Sequence, residues 1–309
     1  MAIAQPHSTR RLEAFLGGPW PFILPGILLY LALSIYPIFY QFYIAMTDIQ
    51  VTSLVNFDFV GLANYRFIFT DSRFIEALQF TFVFVFITVP VQYVIAFSLA
   101  LLVDQKLKGR LFYRVTYIIP LAISSLIVGL MWRLLLHESA AGFVNALLEL
   151  LGFETFRFFS TPNGARFSVF LVNIWSSVGS TMIFLLGGLQ TIDQELLEAA
   201  TVDGANTFQR FFLIKLPLMR TISGLALIFM FVGTFGIFEK ILALTFGGPA
   251  NATFTVGFYM FTTAFGARGA AATAGLLGRA ASMGVVMFFV ILIFVVLYLW
   301  LVMFERDER

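Results

Sequence analysis

Six long apolar runs, separated by short polar segments, divide the chain. Residues 14–47 and 77–103 hold no charged residue, and 167–192 holds none either. The run 115–132 is shorter, but Arg114 and Arg133 flank it and can extend outward along apolar surface. Two more lie at about 217–245, interrupted by Glu239 and Lys240, and at 280–304. A helix needs about 20 mainly apolar residues to cross about 30 Å of hydrocarbon. No alternating ten-residue pattern of a membrane barrel occurs, so helix is the form that satisfies the backbone in lipid. The pattern predicts an all-α, polytopic membrane protein with six transmembrane helices. There is no internal repeat and no low-complexity tail.

Lys and Arg bias sets the orientation. With both termini cytoplasmic, the inner segments hold Arg10, Arg11, Lys106, Lys108, Arg110, Arg114, Arg210, Lys215, Arg220, Arg306 and Arg309. The outer segments then hold Arg66, Arg73, Arg157, Arg166 and Arg268. The expected division is a cytoplasmic N-terminal segment at 1–19, a membrane domain at 20–304 and a cytoplasmic tail at 305–309. Arg10 and Arg11 resemble the start of a signal peptide, but the apolar run after them is too long and has no A-x-A site, which predicts a retained span. Two outer segments exceed simple turns. Residues 48–76 are rich in aromatic and charged residues, and apolar residues at 143, 144, 147, 148 and 151 follow helical spacing. Such segments suit either a lid over the span ends or a docking surface for an external partner.

Composition agrees with lipid as solvent. Hydrophobic residues make up 60% and charged residues 12% of 309, with 39 Phe, and mean hydropathy is +0.93. Soluble domains carry about 25% charged residues. A net charge of +2, without a basic tract interleaved with aromatics, gives no signal for nucleic acid. Cys is absent, and the two His (His7 and His137) have no H-E-x-x-H spacing, so no metal site is expected.

The charged stretch "DQELLEAATVDGANTFQRFFLIKLP" at 193–217 separates the fourth and fifth runs. Asp193 suits a helix N-cap, and Asp203-Gly204 is a stop-and-turn signal. Asn206 with Gln209 has capping-box spacing and opens a second helix carrying Phe208, Phe211, Phe212 and Ile214. Pro217 suits the first turn of the next span. The prediction is a helix-turn-helix that projects from the membrane with exposed aromatics, which call for a partner protein or the bilayer surface.

This stretch resembles the EAA loop of ABC importer permeases, through Glu198, Ala199, Ala200, Asp203, Gly204, Ala205, Ile214, Leu216 and Pro217. "YPIFYQFYIAMTD" (36–48), "FVGLANYRFIF" (59–69), "GLQTIDQELLEAA" (188–200) and "LALTFGGPANAT" (242–253) are similar to the carbohydrate-uptake branch of that family, the maltose-permease-like subunits. The resemblance extends from about residue 20 to 303; Arg220 departs from it, where many relatives have Pro. It implies a type I importer permease fold in the bacterial inner membrane and no enzymatic activity in this chain. The implied partners are a second homologous permease in a heterodimer, two ABC ATPase subunits carrying ATP and Mg, and an extracytoplasmic solute-binding protein. The loop is implied to be a coupling helix seated on an ATPase. In keeping with that, no G-x-x-x-x-G-K-[ST] phosphate cradle occurs here, so the energy must come from a partner.

In "VNIWSSVGSTMI" (172–183), Asn173, Ser176, Ser177 and Ser180 recur at i, i+3, i+4 and i+7 on one helix face. Such a stripe suits a water-filled cavity or close helix packing. The resemblance places these four, with Met230, Gly233, Thr234 and Ile237, on the family's sugar path. Asn173 lies about 9 Å in from the outer end of its run, and Thr234 about 25 Å from Pro217. Trp175 suits packing better than stacking on a sugar. Glu239 and Lys240 count to about 33 Å from Pro217, near the outer interface as a solvated pair, with Glu239 able to reach a solute hydroxyl at the cavity mouth. Arg133 and Arg279 are expected at the interface too.

Two other classes compete. An ion-coupled secondary transporter calls for intramembrane carboxylates and repeated halves, whereas this chain has one borderline Glu and no repeat. A membrane enzyme calls for clustered His or carboxylates, and no such cluster is seen. The expected cargo is a di- or oligosaccharide or related polyol, with glycerol-3-phosphate or another small polar solute as the alternative.

Overall fold

The computed structural model describes Gly18, 20–105, 109–139, 142–266 and 275–307, with Arg110 and 301–307 described by backbone alone. The expected N-terminal segment 1–19, Gly18 apart, and the last two residues of the tail 305–309 lie outside the described residues. So do Lys106, Lys108 and Arg268, which entered the charge bias. The described chain is all-α and has only isolated bridges, Thr47 with Phe59 and Gln50 with Ser53.

Four helices are long and apolar enough to cross a membrane: α1 (Trp20–Ile44), α3 (Ser72–Asp104), α7 (Pro162–Leu189) and α13, apolar over Leu277–Trp300. Their limits follow sequence punctuation. Asp71 caps α3 by accepting from the Arg73 N–H at 3.0 Å, and Thr161 caps α7 by accepting from Gly164 at 3.1 Å, with Pro162 in its first turn. α2 (Ala63–Thr70) is held by buried Asn64, whose Nδ2 donates to the carbonyls of Ala45 and Thr47.

The third and fifth runs are each broken. α4 (Arg110–Ile118) tightens into a 3-10 turn at Ile119–Ala122, and α5 (Ser125–Leu135) leaves at 103° to it. Pro120 lies in that turn and cannot donate to a helical ladder, while Ile123 and Ser124 adopt extended ψ angles of 131° and 140°. The run expected as one straight span, 115–132, is therefore two helices. The fifth begins as α9 (Thr207–Leu218), bends by 68° into α10 (Arg220–Phe235), stops at Gly236–Phe238 and restarts as α11 (Glu239–Leu244). Among the described residues there are four candidate spans, or up to six if each bent pair crosses once.

α3 packs along α7, and α10 covers the seam between them. One apolar cluster joins Val85 and Val89 of α3 to Phe231 and Phe235 of α10 and to Met283 and Met287 of α13. A second joins Ala96 and Ala100 of α3 to Met182 and Leu185 of α7. No residue of α1 is buried, Phe22 being 88% exposed, and it touches the rest chiefly through α13. α5 and α11 press together because Gly129 has no side chain: a Cβ there would stand 2.6 Å from the Ala243 Cβ and 3.1 Å from the Lys240 carbonyl. Such small-residue contacts let helices approach where lipid supplies no hydrophobic drive between them.

The 143–151 segment forms α6 (Phe143–Leu150), and 63–70 within the other long loop forms α2, as their patterns suggested. Fully buried Asn145 ties α6 down, donating to His137 and Phe156 and accepting from the Phe156 N–H. Beside it, Glu138 accepts from the backbone N–H groups of Phe159 and Ser160. Burial pushes the Glu138 carboxyl up, but the Ser160 hydroxyl, those two N–H groups and the charge of Arg157 outweigh it and hold it below the usual range.

Two outcomes follow. Gly129→Val should force α5 from α11 and cost about 1–3 kcal/mol, read as a lower unfolding temperature in detergent. The bonds from Glu138 need its charged form, so their contribution is complete above the ordinary carboxylate pKa and is lost as pH falls through the lowered one. Amide exchange at Phe159 and Ser160 should accelerate only in acid, and Glu138→Gln should flatten that dependence.

Candidate functional site

Two places combine unusual chemistry with exposure: the 193–217 hairpin at one end and a cavity deep between the broken helices. In the hairpin, Asp193 accepts from the Glu195 N–H at 3.0 Å and opens α8 (Gln194–Val202). Gly204 takes φ +81°, the left-handed conformation that ends a helix at little cost only for Gly. Asn206 Oδ1 accepts from the Gln209 N–H at 2.9 Å while Gln209 Oε1 accepts from the Asn206 N–H at 2.8 Å, closing the capping box. The Arg210 guanidinium donates to Thr201 Oγ1 at 2.8 Å and clamps the second arm to the first.

The hairpin is tied to the helices behind it. Lys215 faces Asp104 at the end of α3 at 3.5 Å, and Phe211 packs at a tilt of 49° against Phe97 of α3 with ring centroids 5.7 Å apart. A π-helical turn at Phe211–Lys215 carries the chain into α10. What faces outward is apolar: Val202 is 88%, Phe208 76% and Leu213 72% exposed. Glu198, Ala199, Asp203, Gly204 and Pro217 are exposed as well, whereas Ala200, Ala205 and Ile214 are half-buried. The knob thus carries an uncovered apolar face, a feature that marks interaction sites.

The cavity has a volume of 440 Å³, within the ordinary range of small-molecule sites. Both helix breaks open onto it, through Ser125 at the start of α5 and Gly236–Phe238 between α10 and α11. Non-helical backbone at membrane depth is tolerated where it lines such a space. The groups freed at the break find side-chain partners. The Ile237 carbonyl accepts from Thr255 Oγ1 at 2.8 Å, and the same oxygen caps α12 (Val256–Phe265) through the Phe258 N–H. The Val256 N–H donates to Thr81 of α3 at 2.9 Å.

Eight of the nine residues singled out for a solute path line this one space: Asn173, Ser177, Ser180, Met230, Gly233, Thr234, Ile237 and Glu239. Ser176 does not line it. The wetted face of α7 runs through Asn173, Ser177, Thr181 and Phe184, and at 3.6 residues per turn Ser176 sits roughly a quarter-turn aside. Its hydroxyl donates instead to the Asn173 carbonyl at 3.1 Å. Trp175 packs edge-on against Trp132, centroids 5.4 Å apart.

Lys240 departs from the outward, solvated position expected of it. Its ammonium turns into the cavity and donates to Asn173 Oδ1 at 2.9 Å and Ser177 Oγ at 3.2 Å, while Glu239 lies exposed on the wall beside it. Counting along a straight helix carried it to the interface; the break redirects it. Gln92 of α3 and Thr181 also face the cavity and were not singled out. An amide in an otherwise apolar run was the available signal for Gln92.

No protein-family model matches the chain. Curated relatives do. The chain is 32% identical over 96% of its length, and 96% of the relative's, to the trehalose/maltose transport system permease protein MalF of Thermococcus litoralis. It is 31% identical over 80% of its length to the multiple sugar-binding transport system permease protein MsmF of Streptococcus mutans, covering 84% of that protein. In fold it is similar to a chain of a bacterial alginate ABC transporter crystallised with an alginate pentasaccharide-bound periplasmic protein, at TM-score 0.75, 21% identity and 94% coverage of both chains. These relatives define the class, a membrane permease subunit of an ABC transporter. The chain belongs to the family of sugar ABC importer permeases.

The capping box makes a local prediction. Asn206→Ala should cost about 1 kcal/mol of hairpin stability, seen as faster amide exchange at Gln209 with the cavity unchanged.

Proposed function

We propose that this chain forms one half of the membrane pathway of a binding-protein-dependent importer for a di- or oligosaccharide or related polyol. The observation that carries this reading is the joining of hairpin and cavity through one element: α9–α10 holds the exposed knob at one end and Met230, Gly233 and Thr234 at the other. Rotation of the knob moves the cavity wall as a lever, the rigid-body form of alternating access.

In this reading the knob faces the cytoplasm, as do both termini, and six spans cross the bacterial inner membrane with each bent pair counting once. Glu198, Ala199, Ala200, Asp203, Gly204, Ala205, Ile214 and Pro217 form the coupling surface. A separate pair of ATPase subunits binds ATP and Mg and hydrolyses the nucleotide; this chain is not itself an enzyme. A second, homologous permease completes the pathway, its natural seat being the uncovered apolar flanks of this chain. An extracytoplasmic binding protein delivers the solute to the end carrying α2 and α6. Glycerol-3-phosphate or another small polar solute is the alternative cargo.

Gly204→Asp forces a Cβ into the left-handed turn, and Glu198→Lys reverses charge on the docking face. Each should abolish ATP-driven uptake and co-purification of the ATPase while the permease stays in the membrane. Uptake at the wild-type rate, with the ATPase still bound, would remove the coupling role.

A further inference from the structure

Gln92 is 2% exposed, sits in the middle of α3 and lines the cavity. Its Nε2 and Thr181 Oγ1 are hydrogen-bonded at 3.0 Å. In this arrangement Thr181 accepts from Gln92 and directs its own hydroxyl to the Ser177 carbonyl at 3.3 Å. Gln92 Oε1 is then left buried with no donor. A buried acceptor without a partner is costly, and native structures leave few of them. This one borders a space able to hold a ligand.

The charges around that space cancel. Among the described lining residues only Glu239 and Lys240 are ionisable, one of each sign. Two of the three ammonium donors of Lys240 are committed to Asn173 and Ser177. The Glu239 carboxylate, like Gln92 Oε1, can only accept. A carboxylate or phosphate on the solute, itself acceptor-only, would meet repulsion at both and find one shared ammonium in return. A hydroxyl donates and accepts at once.

We propose that Gln92 is a specificity-determining residue of the cavity, accepting from a hydroxyl of an uncharged polyhydroxylated solute and excluding anionic ones. This rests on the cavity being the solute path, and it decides between the two cargo classes: a neutral sugar or polyol is carried and glycerol-3-phosphate is not. Thr181 is a positioning residue, holding the Gln92 side chain at the cavity wall through its bond to Nε2.

The test uses the whole importer, with its binding protein and ATPase, in proteoliposomes. The probes are radiolabelled neutral mono-, di- and trisaccharides and glycerol, each paired with its uronate or phosphate ester. Wild type should transport neutral members only. Gln92→Met should lower uptake of the preferred sugar about tenfold at subsaturating concentration, with unchanged protein level and unfolding temperature. It should also cancel the further loss caused by deleting one hydroxyl from that sugar, for one of its monodeoxy analogues. If Gln92→Met does not assemble, Thr181→Val serves instead and should narrow the gap between parent and deoxy sugar. Neutral uptake that neither variant alters, or equal losses for every solute and analogue, would overturn the role of Gln92 alone. Wild-type transport of any charged partner would overturn the exclusion of anions, and ATP-driven transport of no probe would overturn the reading of the cavity as a sugar path as well.

Discussion

The break between α10 and α11 is the constraint on which the rest depends. An interrupted helix in an apolar setting exposes backbone groups that lipid cannot satisfy, at several kcal/mol for each unsatisfied group. Here Thr255 accepts that task at the Ile237 carbonyl and caps α12 with the same oxygen. Thr81 of α3 accepts from the Val256 N–H and so ties the first turn of α12, the helix capped by Thr255, to the frame. Three elements are thereby locked around one irregular turn, and the turn itself becomes a wall of the cavity. Remove the threonine hydroxyls and the break has no stable place in the membrane.

The companion break, between α4 and α5, brings a second short helix against the first. Gly129 lets α5 reach the backbone of α11 at Lys240, and Lys240 in turn spans the cavity to Asn173 and Ser177 of α7. The polar interior is thus shared between the short helix α11 and the long helix α7. The long helices α3 and α7 supply the frame, and their apolar seam is closed by residues such as Ala96, Ala100 and Met182. At the far end of the same frame, Lys215 with Asp104 and Phe211 with Phe97 anchor the hairpin to α3. Knob and cavity therefore share two elements, α10 and α3.

Uncharged chemistry dominates the cavity even though it lies in a chain with charged residues close by. Hydroxyls and amides line it, and its one ammonium is divided between neutral oxygens. Polar groups of this kind discriminate by leaving a wrong partner unsatisfied more than by attracting the right one. That logic suits a solute defined by its pattern of hydroxyls.

Local signals were enough for much of this. Apolar run length gave α1, α3, α7 and α13, because crossing hydrocarbon sets a length that depends on no tertiary contact. Asp193, Gly204, Asn206 and Gln209 marked the hairpin, since caps and turns are made by residues three or four apart. The stripe at Asn173, Ser177 and Ser180 was visible as helical period. The tertiary structure alone decided where the runs break: α12 is too short to register as a span, and at the stop at Gly236–Phe238 the Ile237 carbonyl is met by Thr255 from elsewhere in the chain. It also decided that Lys240 turns inward, that Ser176 turns aside and that Gln92 faces the same space. Those outcomes depend on partners tens of residues distant, and a period counted along one helix carries no information about which neighbour will meet it.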